Sequence, residues 1–153
     1  MQNKQFDMAQ LYAVILEVIE SGGEFRLFPR GTSMLPLLRE GKDSVLLTAP
    51  KALKKQDICL YRRGDGSFVL HRLVKFKGEG EPVFCGDNQT TLEHGVPREA
   101  IIARVSAIYR GERCVSPTSI SYRFYVFFYV VLGMRYLRLL PRRIKARLFK
   151  HKR

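Results

Sequence analysis

Two side chains with complementary chemistry stand in separate stretches of this chain. Ser33 lies in Gly-Thr-Ser-Met-Leu-Pro (31–36), and His71 lies in Val-Leu-His-Arg-Leu-Val (69–74). A serine hydroxyl is a poor nucleophile at neutral pH until a base accepts its proton, and histidine, with an unperturbed pKa of roughly 6.5, is the usual base. Alone, Ser33 is typical of a turn and His71 of a half-buried strand. Together they predict a Ser–His pair for acyl transfer.

The stretches around this pair follow a definite order. Gly-Thr-Ser-Met-Leu-Pro precedes Gly-Lys-Asp-Ser-Val (41–45), Asp-Ile-Cys-Leu-Tyr (57–61), His71-Arg72 and Gly-Asp-Asn (86–88). Over about residues 25–109 this order resembles the serine peptidases that include signal peptidases and self-cleaving LexA-type repressors. Common bacterial signal peptidases and LexA-type proteins use a lysine base, whereas the endoplasmic-reticulum and archaeal type has histidine, as at His71. The resemblance implies a serine endopeptidase acting on a precursor, signal or leader peptide, with Ser33 as nucleophile and His71 as general base and then acid.

The resemblance also implies a carboxylate beside the histidine. Asp87 matches the first acid of that branch, and Glu93 falls where the branch has a second aspartate. Such a carboxylate would hold the imidazole in the required tautomer and stabilise the imidazolium. Both acids remain candidates, and Asp87 is preferred. No metal or organic cofactor is implied, because a Ser–His pair needs neither.

The oxyanion of acyl transfer needs hydrogen-bond donors, and the backbone N–H of the nucleophile is the simplest source. Gly31 stands where some family members carry a hydroxyl donor, so that side-chain donor is absent here. Thr32 is either a substitute donor or a turn residue, and the turn is favoured. Met34 and Pro36 are expected to shape the turn and to line or support the substrate cleft.

Two other functions remain open. One is a catalytically inactive peptide-binding or scaffold module of the same fold, acting at the membrane surface. The other is a self-cleaving LexA-type regulator, for which Ser21-Gly22 would be the bond cut. The second ranks lower, because in that group the cleaved bond lies well upstream of the nucleophile.

Hydrophobic periodicity predicts a mainly β protein with a helix at each end. Apolar residues at helical spacing between Met8 and Ile19 predict an amphipathic helix that ends at Gly22-Gly23. Short strands are predicted at 25–28, 44–48, 58–61, 68–74, 83–85 and 101–109, separated by glycine and proline turns. They suggest a small, partly closed antiparallel barrel, in agreement with the signal peptidase and LexA catalytic fold. We expect an N-terminal helix (1–22), a peptidase-like β domain (23–112) and an aromatic, then strongly basic C-terminal segment (113–153).

Charge is concentrated at the C-terminal end. The chain of 153 residues has a formal net charge of +13, and its hydrophobic fraction of 46% excludes wholesale disorder. Residues 113–153 hold 11 of the 27 Lys and Arg residues and no acid. The three cysteines have no metal-ligand spacing and are interpreted as small apolar residues in strands or as a free thiol, which fits a reducing compartment.

The apolar stretch 124–134 and the basic residues after it predict a membrane contact. Eleven uninterrupted apolar residues are too few to cross a hydrocarbon core, which needs roughly 20. A helix at an anionic membrane surface is favoured over packing on the barrel and over a spanning helix. The expected contact residues are Phe124, Phe127, Phe128, Arg135, Arg138, Arg142 and Arg143. Nucleic acid ranks below the membrane as a partner, because no base-reading module accompanies the charge.

The N-terminal and C-terminal sequences together predict the cellular location of the protein. Residues 1–10 are polar and show no secretory signal, and the membrane anchor that signal peptidases carry before the serine is not seen. Basic flanks favour the cytoplasmic side. We therefore expect a membrane-associated protein with its catalytic domain in the cytoplasm, for example one that removes the leader of a ribosomally made precursor peptide.

Overall fold

The computed structural model describes residues 8–136, which form one antiparallel sheet with helices packed on it. In chain order the elements are α1 (Met8–Glu20), β1 (Phe25–Leu27), β2 (Asp43–Thr48), β3 (Ile58–Arg62), β4 (Phe68–Lys77), β5 (Glu81–Cys85), a 3-10 turn (Arg98–Ala100), β6 (Ile101–Arg110), β7 (Arg113–Val115) and α2 (Ile120–Tyr125), which continues into a π-helical segment (Val126–Val131).

The N-terminal amphipathic helix is confirmed. Ile15 and Ile19 are buried in the main core, and Leu11 and Tyr12 pack against it. The helix ends where Gly22 adopts a φ of 81°, a conformation that glycine accepts without strain. Backbone bonds from Gly22 N to Ile19 O and from Gly23 N to Val18 O close the last turn.

The mainly β architecture is also confirmed. The strands lie in the order β1-β2-β6-β3-β4-β5, every pair is antiparallel, and β7 pairs with the end of β6. Within residues 8–136 no hydrogen-bonded pairing joins the edge strands β1 and β5, so the sheet is open. The strand β7, absent from the prediction, forms because Gly111 (φ 62°) permits a tight turn. The hairpin turn expected at 78–82 is shorter, because β5 already begins at Glu81.

Alternation of side chains puts a separate apolar cluster on each face of β3. Ile58 and Leu60 belong to the main core, which also contains Ile15 and Ile19 of α1 and Val126 and Val130 of the π-helical segment. Cys59 and Tyr61 belong to a second cluster with Leu73, Phe84, Val96 and Ile101. Because successive strand residues point to opposite faces, alternate apolar residues of β3 pack into one cluster or the other.

The C-terminal helix packs one side on the main core. The Ser119 hydroxyl accepts from Tyr122 N at the start of α2, and Tyr122, Val126 and Val130 are buried. Phe124, Phe127 and Phe128 are exposed on other sides of the same helix. Among the described residues, no helix has the length and apolar character to cross a membrane.

Candidate active site

The turn that carries Ser33 is anchored by a core residue. Met34 is buried in the main cluster. Gly31 has a φ of 86°, and the turn is closed by bonds from Leu35 N to Thr32 O (3.2 Å) and from Leu38 N to Met34 O (3.0 Å). Ser33 itself is half-buried. The side chain next to the proposed nucleophile therefore fixes the turn from inside.

The loop after β5 holds the same turn from outside. Asn88 N donates to Ser33 O (2.8 Å), and Asn88 Nδ2 donates to Thr32 O (3.0 Å). A Cβ at Gly86 would lie 2.6 Å from Ser33 O, so only glycine fits this approach. Gly86 and Asn88 of the Gly-Asp-Asn stretch thus position the Ser33 turn.

Ser33 and His71 line the same cavity. The cavity has a volume of about 210 Å³, and its wall also includes Gly31, Met34 and Arg63. His71 stands on β4 opposite Cys59 and is 3% exposed. Within the described residues no hydrogen bond joins Ser33 Oγ to a His71 ring nitrogen. The two side chains share a cavity without a direct bond in this conformation.

The carboxylate beside His71 is Glu93. Glu93 forms an isolated antiparallel bridge with Phe84 of β5. One of its oxygens, Oε2, lies 3.6 Å from His71 Nδ1 and 2.6 Å from the Tyr61 hydroxyl, which is itself 3.1 Å from Nδ1. Arg63 donates to both Glu93 oxygens, at 2.6 and 2.7 Å. Those bonds from Arg63 hold the pKa of the Glu93 carboxyl below its usual value.

Burial lowers the pKa of His71 below its usual value. The negative charge of Glu93 opposes this shift, Arg63 adds to it, and Asp87 opposes it from farther away. The shift is chiefly one of desolvation, because a buried imidazolium has lost its hydration. His71 is therefore neutral at pH 7 and is able to accept a proton.

Asp87 lies on the other side of β4, and the preference for it as the partner of His71 is corrected. Arg72 donates from Nε and Nη2 to the two Asp87 oxygens, at 2.7 and 2.6 Å. Tyr125 also donates to Asp87 (2.9 Å), and Arg72 Nη1 donates to the Tyr122 hydroxyl (2.8 Å). His71 and Arg72 are consecutive in a strand, so they face opposite ways. Asp87 therefore lies on the Arg72 side of β4, and Glu93 lies on the His71 side.

The backbone around Ser33 provides the candidate oxyanion donor. No backbone hydrogen bond in the described part of the chain uses the Ser33 N–H. Thr32 is exposed and contributes its carbonyl to Asn88, as expected of a turn residue. Pro36 follows a cis peptide bond and is half-buried, but it is not part of the cavity wall.

The expected membrane-contacting residues divide into three groups. Phe124, Phe127 and Phe128 are exposed. Arg135 is 4% exposed and its guanidinium contacts Cys85 Sγ (3.7 Å), so its expected surface role is corrected: the side chain folds back onto β5. The arginines Arg138, Arg142 and Arg143 lie outside the described residues.

Sequence reasoning did not assign a role to Tyr61 or Arg63. Both belong to the alternating series Cys59, Tyr61, Arg63, and Cys59 pairs with His71 in the β3–β4 register. Residues two apart on a strand share a face. The hairpin turn at Arg63-Gly64-Asp65-Gly66 fixes the β3–β4 register. With that register, the alternation of Cys59, Tyr61 and Arg63 was the sequence signal that could have placed Tyr61 and Arg63 beside His71.

The structure gives no sign of a metal centre in the part it describes. Among residues 8–136 no group of three or more His, Cys, Asp or Glu side chains is placed to hold a metal ion. All three cysteines are free, with Cys59 and Cys85 buried and Cys114 exposed. The expectation that the chemistry needs no cofactor stays a prediction.

Comparisons with protein-family models, with curated proteins and with solved structures give no match to this chain. The family resemblance therefore rests on the quoted stretches and on the order in which they follow one another.

Proposed function

We propose that the protein is a serine endopeptidase resembling the Ser–His branch of the signal peptidases, with the partly closed barrel of that catalytic fold. Its substrate would be a precursor protein or a signal or leader peptide. The observation that carries the proposal is the shared cavity: Ser33 and His71 come from separate stretches and line it together. Burial keeps His71 neutral, and an ionised carboxylate lies on the Nδ1 side of its ring.

In the proposed reaction Ser33 Oγ attacks the peptide carbonyl carbon while His71 Nε2 accepts the hydroxyl proton. The tetrahedral oxyanion accepts a hydrogen bond from the Ser33 N–H. His71 then donates the proton to the leaving amine, which breaks the C–N bond and leaves an acyl-serine. A water molecule, deprotonated by His71, hydrolyses this ester and restores Ser33. Catalytic hydrogen bonds often tighten only when substrate binds, so Ser33 and His71 must approach each other in the complex.

A non-catalytic peptide-binding module of the same fold is the second candidate. The absence of a Ser33–His71 hydrogen bond in the described residues favours it. In that function the cavity would hold a peptide side chain without cleaving the backbone. The two functions make opposite predictions for covalent labelling of Ser33.

The test is labelling with a serine-reactive phosphonate or a lipopeptide inhibitor of signal peptidases. We expect the wild type to be labelled, and Ser33→Ala and His71→Ala each to lose roughly 10³-fold or more in rate, because the pair acts as a unit. The matched controls are Ser121→Ala and His94→Ala, which change exposed residues outside the cavity.

Peptide mapping must place the label on Ser33. A wild type that is not labelled, or label that survives in Ser33→Ala, would reject the peptidase and leave the binding module. The intact mass of the wild type after the same incubation tests self-cleavage at Ser21-Gly22.

We also propose that the aromatic face of α2 and the π-helical segment contacts an anionic membrane surface on the cytoplasmic side. Phe124, Phe127 and Phe128 expose 57%, 51% and 43% of their surface. Aromatic rings exposed together on one helix are typical of an interfacial contact. The absence of any acid between residues 113 and 153 makes the charge of this end complementary to anionic headgroups.

A further inference from the structure

The Tyr61 hydroxyl lies between His71 and Glu93. Its oxygen is 3.1 Å from His71 Nδ1 and 2.6 Å from Glu93 Oε2, whereas Nδ1 and Oε2 are 3.6 Å apart. The direct separation is too long for a hydrogen bond, and both separations through Tyr61 are within hydrogen-bond range. Glu93 therefore reaches His71 through Tyr61.

The proton positions in this series follow from chemistry. Glu93 is ionised beside Arg63, and a carboxylate only accepts hydrogen bonds. The 2.6 Å contact to Glu93 is typical of a hydroxyl donating to an ionised oxygen. Tyrosine has one hydroxyl proton, so toward His71 its oxygen can only accept. His71 must then carry a proton on Nδ1, and in the neutral ring Nε2 carries none.

We propose that Tyr61 is a positioning residue: its hydroxyl links Glu93 to His71 Nδ1 and keeps Nε2 unprotonated, so that Nε2 is the atom able to accept the Ser33 proton. The catalytic use of Nε2 rests on the proposed function. The tautomer itself depends only on the contacts among His71, Tyr61 and Glu93.

The surroundings hold the Tyr61 hydroxyl in place. The tyrosine is fully buried on β3, and its ring stacks on Phe84 with centroids 4.5 Å apart. Phe84 bridges to the Glu93 backbone, and Arg63 holds both Glu93 oxygens. His71 and Tyr61 thus lie on strands, and Glu93 is bound to one. This limits the freedom of the Tyr61 hydroxyl to turn toward another partner.

The first experiment reads the tautomer by ¹⁵N NMR of the His71 ring in the full chain at a pH above the His71 titration. We expect Nδ1–H in the wild type. In Tyr61→Phe the acceptor for Nδ1–H is gone, so we expect the Nε2–H form to appear. In Glu93→Ala the freed Tyr61 hydroxyl donates to Nδ1, which should reverse the tautomer. The matched control Tyr109→Phe, a tyrosine with no side-chain hydrogen bond in the described residues, should keep Nδ1–H.

The titration gives a second readout that a purely structural role would not change. The groups facing His71 are Tyr61, Glu93, Arg63 and, farther away, Asp87. We expect the wild-type midpoint below 6.5, because burial disfavours the imidazolium. Glu93→Ala should lower the midpoint further, because it removes the negative charge that stabilises the imidazolium. Serine acylation should rise with pH through the same midpoint, since only neutral His71 accepts the proton.

Acylation rates then separate the two proposals. Tyr61→Phe should label roughly 10- to 100-fold more slowly than the wild type, by analogy with the loss seen when an outer partner that orients a metal-binding histidine is removed. Wild-type Nε2–H, or Nδ1–H retained in folded Tyr61→Phe, would overturn the positioning role whatever the labelling shows. If Tyr61→Phe does not fold, the His71 tautomer in the wild type and in Glu93→Ala tests the positioning role instead. If the His71 tautomers are as expected but the wild type is not labelled, the positioning role of Tyr61 stands and the peptidase function is rejected.

Discussion

Two neighbouring residues in β4 face two different polar clusters. His71 faces Tyr61 and Glu93, while Arg72 faces Asp87, Tyr122 and Tyr125. Arg72 and Asp87 are both fully buried, and their bidentate contact satisfies charges that have lost their hydration. Removing one member of such a pair leaves the other charge buried and unpaired, which costs more than the pair gains.

Asp87→Asn is therefore expected to act on stability. The free energy of unfolding should fall by about 3–5 kcal/mol, because Arg72 loses its counter-charge. Urea unfolding measures this loss, with Asp65→Asn on the exposed β3–β4 turn as the control that should change little. Unchanged unfolding in Asp87→Asn, together with a large loss of labelling, would instead favour Asp87 as a catalytic carboxylate.

At the scale of elements, β5 and the loop after it join the two halves of the site. The strand pairs with β4, which carries His71, and the loop bonds to the backbone of Thr32 and Ser33. Cavity geometry therefore depends on how closely the Gly86 backbone approaches the Ser33 turn.

Gly86→Ala tests this dependence. The added Cβ would lie 2.6 Å from Ser33 O, and backbone must move to relieve the contact. We expect a loss of about 1–3 kcal/mol in stability, typical of overpacking, and a larger loss in labelling rate than stability alone explains. Gly64→Ala is the matched control, because its Cβ meets nothing within 4 Å. Equal behaviour of the two variants in thermal unfolding and labelling would contradict the prediction.

Across the whole molecule, the exposed aromatic helix is tied to the interior of the sheet. Tyr122 accepts from Arg72 and Tyr125 donates to Asp87, so the helix is fixed to the loop that also holds Ser33. A membrane contact through the opposite side of this helix would set the orientation of the cavity relative to the membrane surface.

Vesicle co-sedimentation of the full chain tests the contact. We expect binding to vesicles containing phosphatidylserine, weaker binding to neutral vesicles, and loss of binding with added salt. Replacing Phe127 and Phe128 by Ser should weaken binding by about tenfold or more, because each ring adds apolar burial. Phe28→Ser, a change at another exposed phenylalanine, is the control.

Equal binding to both vesicle types would contradict a contact with anionic headgroups. Binding that the two replacements leave unchanged would contradict a contact through these phenylalanines. A concentration-dependent mass in solution that the replacements abolish would indicate a second copy of the chain as the occupant. Loss of vesicle binding in the presence of RNA would indicate nucleic acid as the partner.

Local patterns in the sequence determined most of the elements. Apolar spacing in residues 8–19 predicted α1, and alternation bounded by glycine predicted β1 to β6 within a few residues. The motif order also singled out Ser33 and His71, which line one cavity. These features depend on side-chain periodicity and turn chemistry, which act over a few residues and are readable without coordinates.

Tertiary structure decided which carboxylate belongs to which neighbour. Asp87 and Glu93 both follow β5, and the family resemblance favoured Asp87, but strand pairing puts Arg72 opposite Cys85 and Leu73 opposite Phe84. Asp87 is thereby delivered to the Arg72 face, and Glu93, bridged to Phe84, to the His71 face. Likewise Arg135 is buried against Cys85, a contact that spans 50 positions. Register between distant strands has no local signal, so only the folded chain could assign these partners.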